Sequence, residues 1–196
     1  MGNTDKFEMI ANSYDTPERV QIAKVSADAI RECLVDAKSK KAIDFGCGTG
    51  LVGINLLNDF KSVLFLDTSP NMIKQVNLKI QNAETLCFDF EKDSLSDLHA
   101  DYIFMAQVLL HIADFKSILV KLYDVLQPGG HLIIVDFDKN AEIVSDLVHN
   151  GFDQKELTNI MSEIGYKKIR SRTFHKGSKL FMGRDASQFI LDSQKL

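Results

Sequence analysis

Long apolar runs are missing from this chain of 196 residues. No stretch approaches the roughly 20 uninterrupted apolar residues that cross a bilayer. The opening MGNTDKFEMIANSYD is acidic where a secretory leader would be basic and then apolar. Gly2 is followed by Lys6 where a myristoylation signal takes Ser or Thr. Cysteine is scarce: Cys33, Cys47 and Cys87 are odd in number and lack CxxC spacing, which argues against a disulfide framework and a zinc site. Positive charge is not in excess either, because 23 Lys and Arg against 27 Asp and Glu leave a net charge of -4. That balance gives no general attraction to nucleic acid or an anionic membrane, although a local basic patch stays compatible with it. Repeats, low-complexity tracts and proline-rich linkers are absent. The expectation is one soluble, cytoplasmic domain with reduced thiols, long enough for one core and too short for two ordinary domains.

What is present is an alternation of periodicities. Thr16 as cap and Pro17 in the first turn open a helix with Val20, Ala23, Ala27, Ile30 and Leu34 at helical spacing. Ala42 to Phe45 reads as a short strand, followed by a glycine turn and a helix carrying Leu51, Ile54 and Leu57. Ser62 to Asp67 is a strand buried on both faces, and Ser69 with Pro70 caps a helix through Met72, Ile73, Val76 and Ile80. "ETLCFD" and "DYIFMA" give two more strands, and Phe115, Ile118, Leu119 and Leu122 mark an amphipathic helix stopped by "QPGG" before the strand "HLIIVDF". Asp153 with Glu156 reads as a capping box for a helix ended by Gly165. Two extended segments remain, Tyr166 to Phe174 and Ala186 to Ser193, with no room for a crossover helix between them. The pattern predicts an α/β fold: a doubly wound, mainly parallel sheet with an antiparallel C-terminal strand pair.

"AIDFGCGTG" decides between two nucleotide folds. Gly48, Gly50 and Gly53 satisfy GxGxxG, and Asp67 lies where a dinucleotide enzyme places its ribose-binding acid. That reading forces a glycine into the strand. With Gly46, Gly48 and Gly50 as the turn, Asp44 ends the strand and points into the ligand crevice, where it would repel a pyrophosphate but suit a ligand bearing an amino group.

At these residues the sequence resembles the class I S-adenosylmethionine-dependent methyltransferases, whose first motif is an acid, one residue, then GxGxG. "LDTSPNMI" resembles the second motif, "CFDF" the third, "DYIFMAQVLLHI" the fourth and "LQPGGHLIIVDF" the turn and fifth strand, in order over residues 42 to 137. The resemblance implies a seven-stranded Rossmann-like fold that binds S-adenosylmethionine and releases S-adenosylhomocysteine. Gly46, Cys47, Gly48 and Gly50 would lie along the cofactor, with Cys47 offering only main chain. Asp67 would hold both ribose hydroxyls with Thr68 and Met72 beside it, Asp89 would face the adenine amino group, and Phe90 would flank the ring. Ala106 and Gln107 would close the fourth-strand side. Tyr14 and Arg19 fall where small-molecule members carry a lid, here residues 1–38, and Arg19 could approach the methionine carboxylate or stay on an exposed face.

Methyl transfer from a sulfonium needs near-attack geometry and exclusion of water, and a base only for a protonated acceptor. His111 is the histidine placed for that role, the alternative being a residue that packs beneath its loop. His149, in the acceptor-side region 138–165, either lines the pocket or sits on a surface loop. Asp136 and Asp138 lack the further Asp and Asn of a catechol-type magnesium site, so no metal is assigned. "AQVLLHI" lacks the Asn-Pro-Pro-aromatic signature of base-amino methylation. The basic row Lys168, Arg170 and Arg172 reads as protection of an exposed edge strand rather than a nucleic-acid footprint. A small-molecule acceptor is the leading expectation. A tRNA or protein methyltransferase and a non-catalytic cofactor-binding subunit are the alternatives, and the oligomeric state stays open.

Overall fold

In the computed structural model, residues 4–89 and 98–196 are described, so Phe90 lies outside the described residues. Thr16 Oγ1 accepts from the Arg19 amide at 3.4 Å and Pro17 fills the first turn, which starts helix α2 (Pro17–Arg31) at its expected cap. Its buried residues are Ala23, Ser26, Ala27, Ala29 and Ile30. Val20 is exposed instead, because at 100° per residue it stands about 70° from the centre of the face set by Ala23, Ser26, Ala27 and Ile30. Leu34 lies beyond the helix. Upstream is an element that the periodicity reading did not anticipate, helix α1 (Thr4–Ile10) with a 3-10 turn at Ala11–Ser13.

Seven strands, β1 (Lys41–Phe45), β2 (Ser62–Asp67), β3 (Glu84–Cys87), β4 (Ala100–Ala106), β5 (Leu126–Phe137), β6 (Lys167–Phe181) and β7 (Arg184–Gln194), form one sheet in the order β3-β2-β1-β4-β5-β7-β6. The first five are parallel and β7 runs antiparallel between β5 and β6, the mixed sheet expected from the sequence. Strand order reverses between β1 and β4, which opens a crevice at their carboxyl ends.

Alternate strand residues feed opposite layers. Ala42, Val63, Phe65, Phe104 and Ile133 pack with α2, helix α3 (Leu51–Leu56) and helix α4 (Pro70–Lys79). Ile43, Leu66, Ile103, Met105 and Ile134 pack with helix α5 (Phe115–Val125) and helix α6 (Gln154–Ile164). Leu122, fully buried on α5, contributes about 1.5–3 kcal/mol by leaving water. On α3 the fully buried side chain is Leu56, while Leu51, Ile54 and Leu57 are half-buried at its flanks.

Four local expectations are corrected. "QPGG" does not end the helix before a separate strand: β5 begins at Leu126, and Gly129 and Gly130 exchange hydrogen bonds with Lys195 at 2.6 and 2.9 Å. The last two strands are longer than expected and turn at Met182 and Gly183. Asp153 caps α6 by accepting from the Lys155 and Glu156 amides at 2.9 Å, but the Glu156 carboxylate turns to Lys139 at 3.7 Å and does not complete a box. Lys168, Arg170 and Arg172 are exposed on the sheet's edge strand, and Arg170 and Arg172 stand two apart in unbroken register, but Lys168 does not continue their row, because the register shifts between Lys167 and Arg170 and Lys168 has φ +50. Among the described residues no helix is long and apolar enough to cross a membrane.

Candidate active site

The turn after β1 places three glycines in left-handed geometry, Gly46 at φ +67, Gly48 at +53 and Gly50 at +82, where a side chain would be strained. A Cβ on Gly46 would stand 2.6 Å from a Val108 methyl, whereas one on Gly48 would meet nothing within 4 Å. Gly46 is thus fixed by packing and Gly48 opens to space. The loop is tied to the end of β2: the Cys47 amide donates to Leu66 O at 2.9 Å and the Gly48 amide to Asp67 Oδ2 at 2.8 Å. Asp67 Oδ1 accepts from the Ser69 amide at 2.9 Å. Burial pushes the Asp67 carboxyl above its ordinary range, opposed by these amide hydrogen bonds. A carboxylate has about four lone-pair sites, so acceptor capacity remains for a ligand.

Asp44 departs from expectation. It is buried behind the loop, where Oδ2 accepts from the Gly53 amide at 3.0 Å, and it is not part of the crevice wall. The unsatisfied amides of the first turn of α3 draw it inward. Desolvation raises its pKa to about 8. Gly50 also stands off the crevice; it turns the chain into α3, with its amide on Cys47 O at 2.8 Å. Burial drives the Cys47 thiol well up, which suits a main-chain role and not a nucleophile.

The amino-terminal segment closes over the loop. Asp15 accepts from the Thr49 hydroxyl and is ion-paired with Lys79, whose Nζ also donates to Thr49 O at 2.8 Å. Glu8 accepts from the Ser69 hydroxyl and from the Asn71 amide at 3.1 Å, at the start of α4. The Arg19 guanidinium lies 4.1 Å over the Tyr14 ring and donates to Tyr14 O at 2.9 Å. Burial raises the Tyr14 hydroxyl pKa, with Arg19 pulling it down. Phe7 meets His111 edge to face, with centroids 5.1 Å apart.

The opposite wall begins where β4 ends. Gln107 holds φ +57, an uncommon conformation for a residue with a side chain, and its amide donates to Val135 O at 2.7 Å. The 3-10 turn Leu109–His111 follows, anchored by fully buried Asp136, which accepts from the Leu110 amide at 3.2 Å. Desolvation raises the Asp136 pKa to about 7. His149 donates its backbone amide to Leu110 O at 2.8 Å, and its Nε2 bonds Ile112 O at 2.9 Å.

These walls enclose a cavity of about 810 Å³. Of the residues expected from sequence, Tyr14, Arg19, Gly46, Cys47, Gly48, Asp67, Thr68, Met72, Asp89, Ala106, Gln107 and His111 line it together. Sequence reasoning missed Phe7 and Ser26. The run Phe7, Ile10, Ala11 at helical spacing was the available signal for α1. Ser26 borders the cavity, and its hydroxyl, closed off from solvent, has no hydrogen-bond partner among the described residues.

Residues 43–132 match the model of a methyltransferase domain. The chain belongs to the class I S-adenosylmethionine-dependent methyltransferases. It is 32% identical over 141 residues to malonyl-acyl-carrier-protein O-methyltransferase 2 of Ilyobacter polytropus, an alignment covering 69% of this chain and 53% of that protein. The chain therefore spans about half the length of that relative. A methyltransferase structure from Thermotoga maritima superposes with a TM-score of 0.74 at 19% identity, covering 98% of this chain and 99% of that one. Phosphoethanolamine N-methyltransferase 2 of Haemonchus contortus, solved with phosphomonomethylethanolamine and S-adenosylhomocysteine, gives 0.66 at 16% identity over 87% of this chain and 52% of that one. At such identities the likeness is one of fold. In this methyltransferase fold the strand reversal at β1 and β4 coincides with the cavity.

Proposed function

We propose that this methyltransferase domain transfers the methyl group of S-adenosylmethionine to a small-molecule acceptor. The observation that carries the reading is the cavity itself, which joins two chemically different ends. One end has the open Gly48 position and the Asp67 carboxylate; the other has the apolar side chains of Leu110, Ile112 and Val148 with two imidazoles. Bound cofactor supplies an electrophilic methyl carbon on a sulfonium. Asp67 accepts from the two ribose hydroxyls, Asp89 takes the adenine amino group, and Thr68 and Met72 flank the nucleoside. The donors of Arg19 left over by Tyr14 suit the methionine end. The acidic residue of the first motif acts indirectly, since Asp44 holds the start of α3 and thereby the loop.

In this reading residues 1–38 are the lid, with Phe7 and Tyr14 covering the site, and residues 138–165 supply the acceptor wall through Asp146 to His149. A recessed cavity with an acceptor wall beside the cofactor loop favours an enzyme over a subunit that only carries cofactor, since such a subunit would present a flat apolar patch. Calorimetry with S-adenosylmethionine, S-adenosylhomocysteine and NAD tests the assignment. Binding of both adenosyl ligands without NAD is the expected result, and binding of NAD alone would overturn it.

A further inference from the structure

We propose that His149 is the general base of the transfer and that the acceptor is an apolar molecule presenting one neutral hydroxyl or thiol; this rests on the methyltransferase reading above. A carbonyl can only accept, so the 2.9 Å bond to Ile112 O places the ring proton on Nε2. In the neutral imidazole the lone pair then belongs to Nδ1, which has no hydrogen-bond partner among the described residues. The ring is held as well as oriented. Phe115 meets it edge-on at 5.4 Å, Phe152 lies tilted at 5.5 Å, and the His149 amide is fixed on Leu110 O. A surface-loop histidine would need none of these ties.

The same bonds give the ring its place. Leu110 and Ile112 belong to the turn that starts at Val108, and Val108 packs against Gly46 of the cofactor loop. His149 therefore stands on the cavity wall one turn from that loop. Other titratable groups nearby are His111 on the turn, Asp146 on the ring's own loop and Asp136 buried behind the turn; α5 and the segment before α6 present the rings of Phe115 and Phe152.

Acceptor class follows from what lines this end. Arg19 is the one fixed cation on the cavity wall among the described residues, and Tyr14 already engages it. A phosphate-bearing acceptor would lose water without gaining a cationic partner, and an ammonium would lose water at an end whose one carboxylate among the described residues, Asp146, stands among apolar side chains. A neutral hydroxyl or thiol on an apolar body has neither problem. Its proton passes to Nδ1, and the freed lone pair forms the bond to the methyl carbon. The carbon–sulfur bond of the sulfonium breaks with its pair on sulfur, leaving methylated acceptor, S-adenosylhomocysteine and an imidazolium that returns its proton to water.

The test compares wild type, His149→Ala and His149→Gln, the last keeping an N–H donor for Ile112 O without a base. A panel of substituted phenols, thiophenols and benzylamines is incubated with S-adenosylmethionine from pH 5 to 9, reading S-adenosylhomocysteine release. Calorimetry reads cofactor binding, and nitrogen NMR of histidine-labelled protein reads the tautomer. The expected result is an Nε2–H ring and methylation of phenols or thiophenols but not amines. Both variants should then lose about 100-fold or more in kcat with cofactor affinity unchanged, the acid limb of the pH profile should vanish, and added imidazole should restore His149→Ala in part. Wild-type kcat and acid limb in both variants, an Nδ1–H ring, or transfer to amines alone would overturn the proposal, and a silent panel with cofactor binding intact would overturn the acceptor class. Failure of the wild type to bind S-adenosylmethionine at all would overturn the methyltransferase reading instead.

Discussion

Replacing Asp67 separates its two tasks, because its carboxylate both organises the glycine loop and faces the cavity. In the proposed complex Asp67→Ala removes two charge-assisted hydrogen bonds to ribose, worth about 1.5–3 kcal/mol each. The sum of about 3–6 kcal/mol corresponds to S-adenosylmethionine binding weakened by roughly 10² to 10⁴-fold. The variant also strips the acceptors from the Gly48 and Ser69 amides. With water reaching the loop from the cavity, that loss should be about 2 kcal/mol, a fall of roughly 4–8 °C in Tm for a chain of this size. Asp67→Asn retains one oxygen for the Ser69 amide, so it should lose cofactor affinity with a smaller change in Tm. Calorimetry and thermal melting on both variants supply the comparison. Wild-type affinity in either one would refute the role of Asp67, and a pure stability loss in both would reduce it to a loop anchor. Since burial raises the Asp67 pKa, affinity should also fall as mild acid protonates it.

Three further outcomes are expected. Asp136 is ordinary at 3.8 when unfolded and about 7 when buried, so between those values the native state alone holds the proton and stability falls as pH rises. The loss is about 1.4 kcal/mol per pH unit and about 4 kcal/mol in all; Asp136→Asn should flatten this pH dependence, although its single oxygen leaves one of the Leu110 and Phe137 amides facing an NH2 group, and an unchanged pH dependence would contradict it. Asp44, at about 8, adds a slope of the same sign. Gly46→Ala drives a methyl into Val108 and strains φ +67, so it should cost about 2–4 kcal/mol in denaturant titration, part of it recovered with Val108→Ala. Phe7→Ala removes the edge contact with His111, worth about 0.5–1.5 kcal/mol, and should speed S-adenosylhomocysteine release in stopped flow; an unaltered rate would argue against α1 as a lid.

The alternation of strands and helices, their order, and the three glycines followed by the acid at the end of β2 were legible in the order of residues. Those signals are local. Caps such as Thr16, Ser69 and Asp153 act within three residues, and strand alternation has a period of two. Burial of Asp44 behind the loop was not legible, because an acid two residues before a glycine turn looks the same whether its carboxylate meets a ligand or the Gly53 amide. Tertiary structure alone decided that contest, through the desolvation and helix amides that surround it. It also decided that Phe7 reaches His111 across more than a hundred residues, and that Ile112 O, set by a turn after β4, fixes which nitrogen of His149 carries the proton. Periodicity places residues on faces; which polar atoms meet at a strand reversal depends on segments that share no sequence neighbourhood.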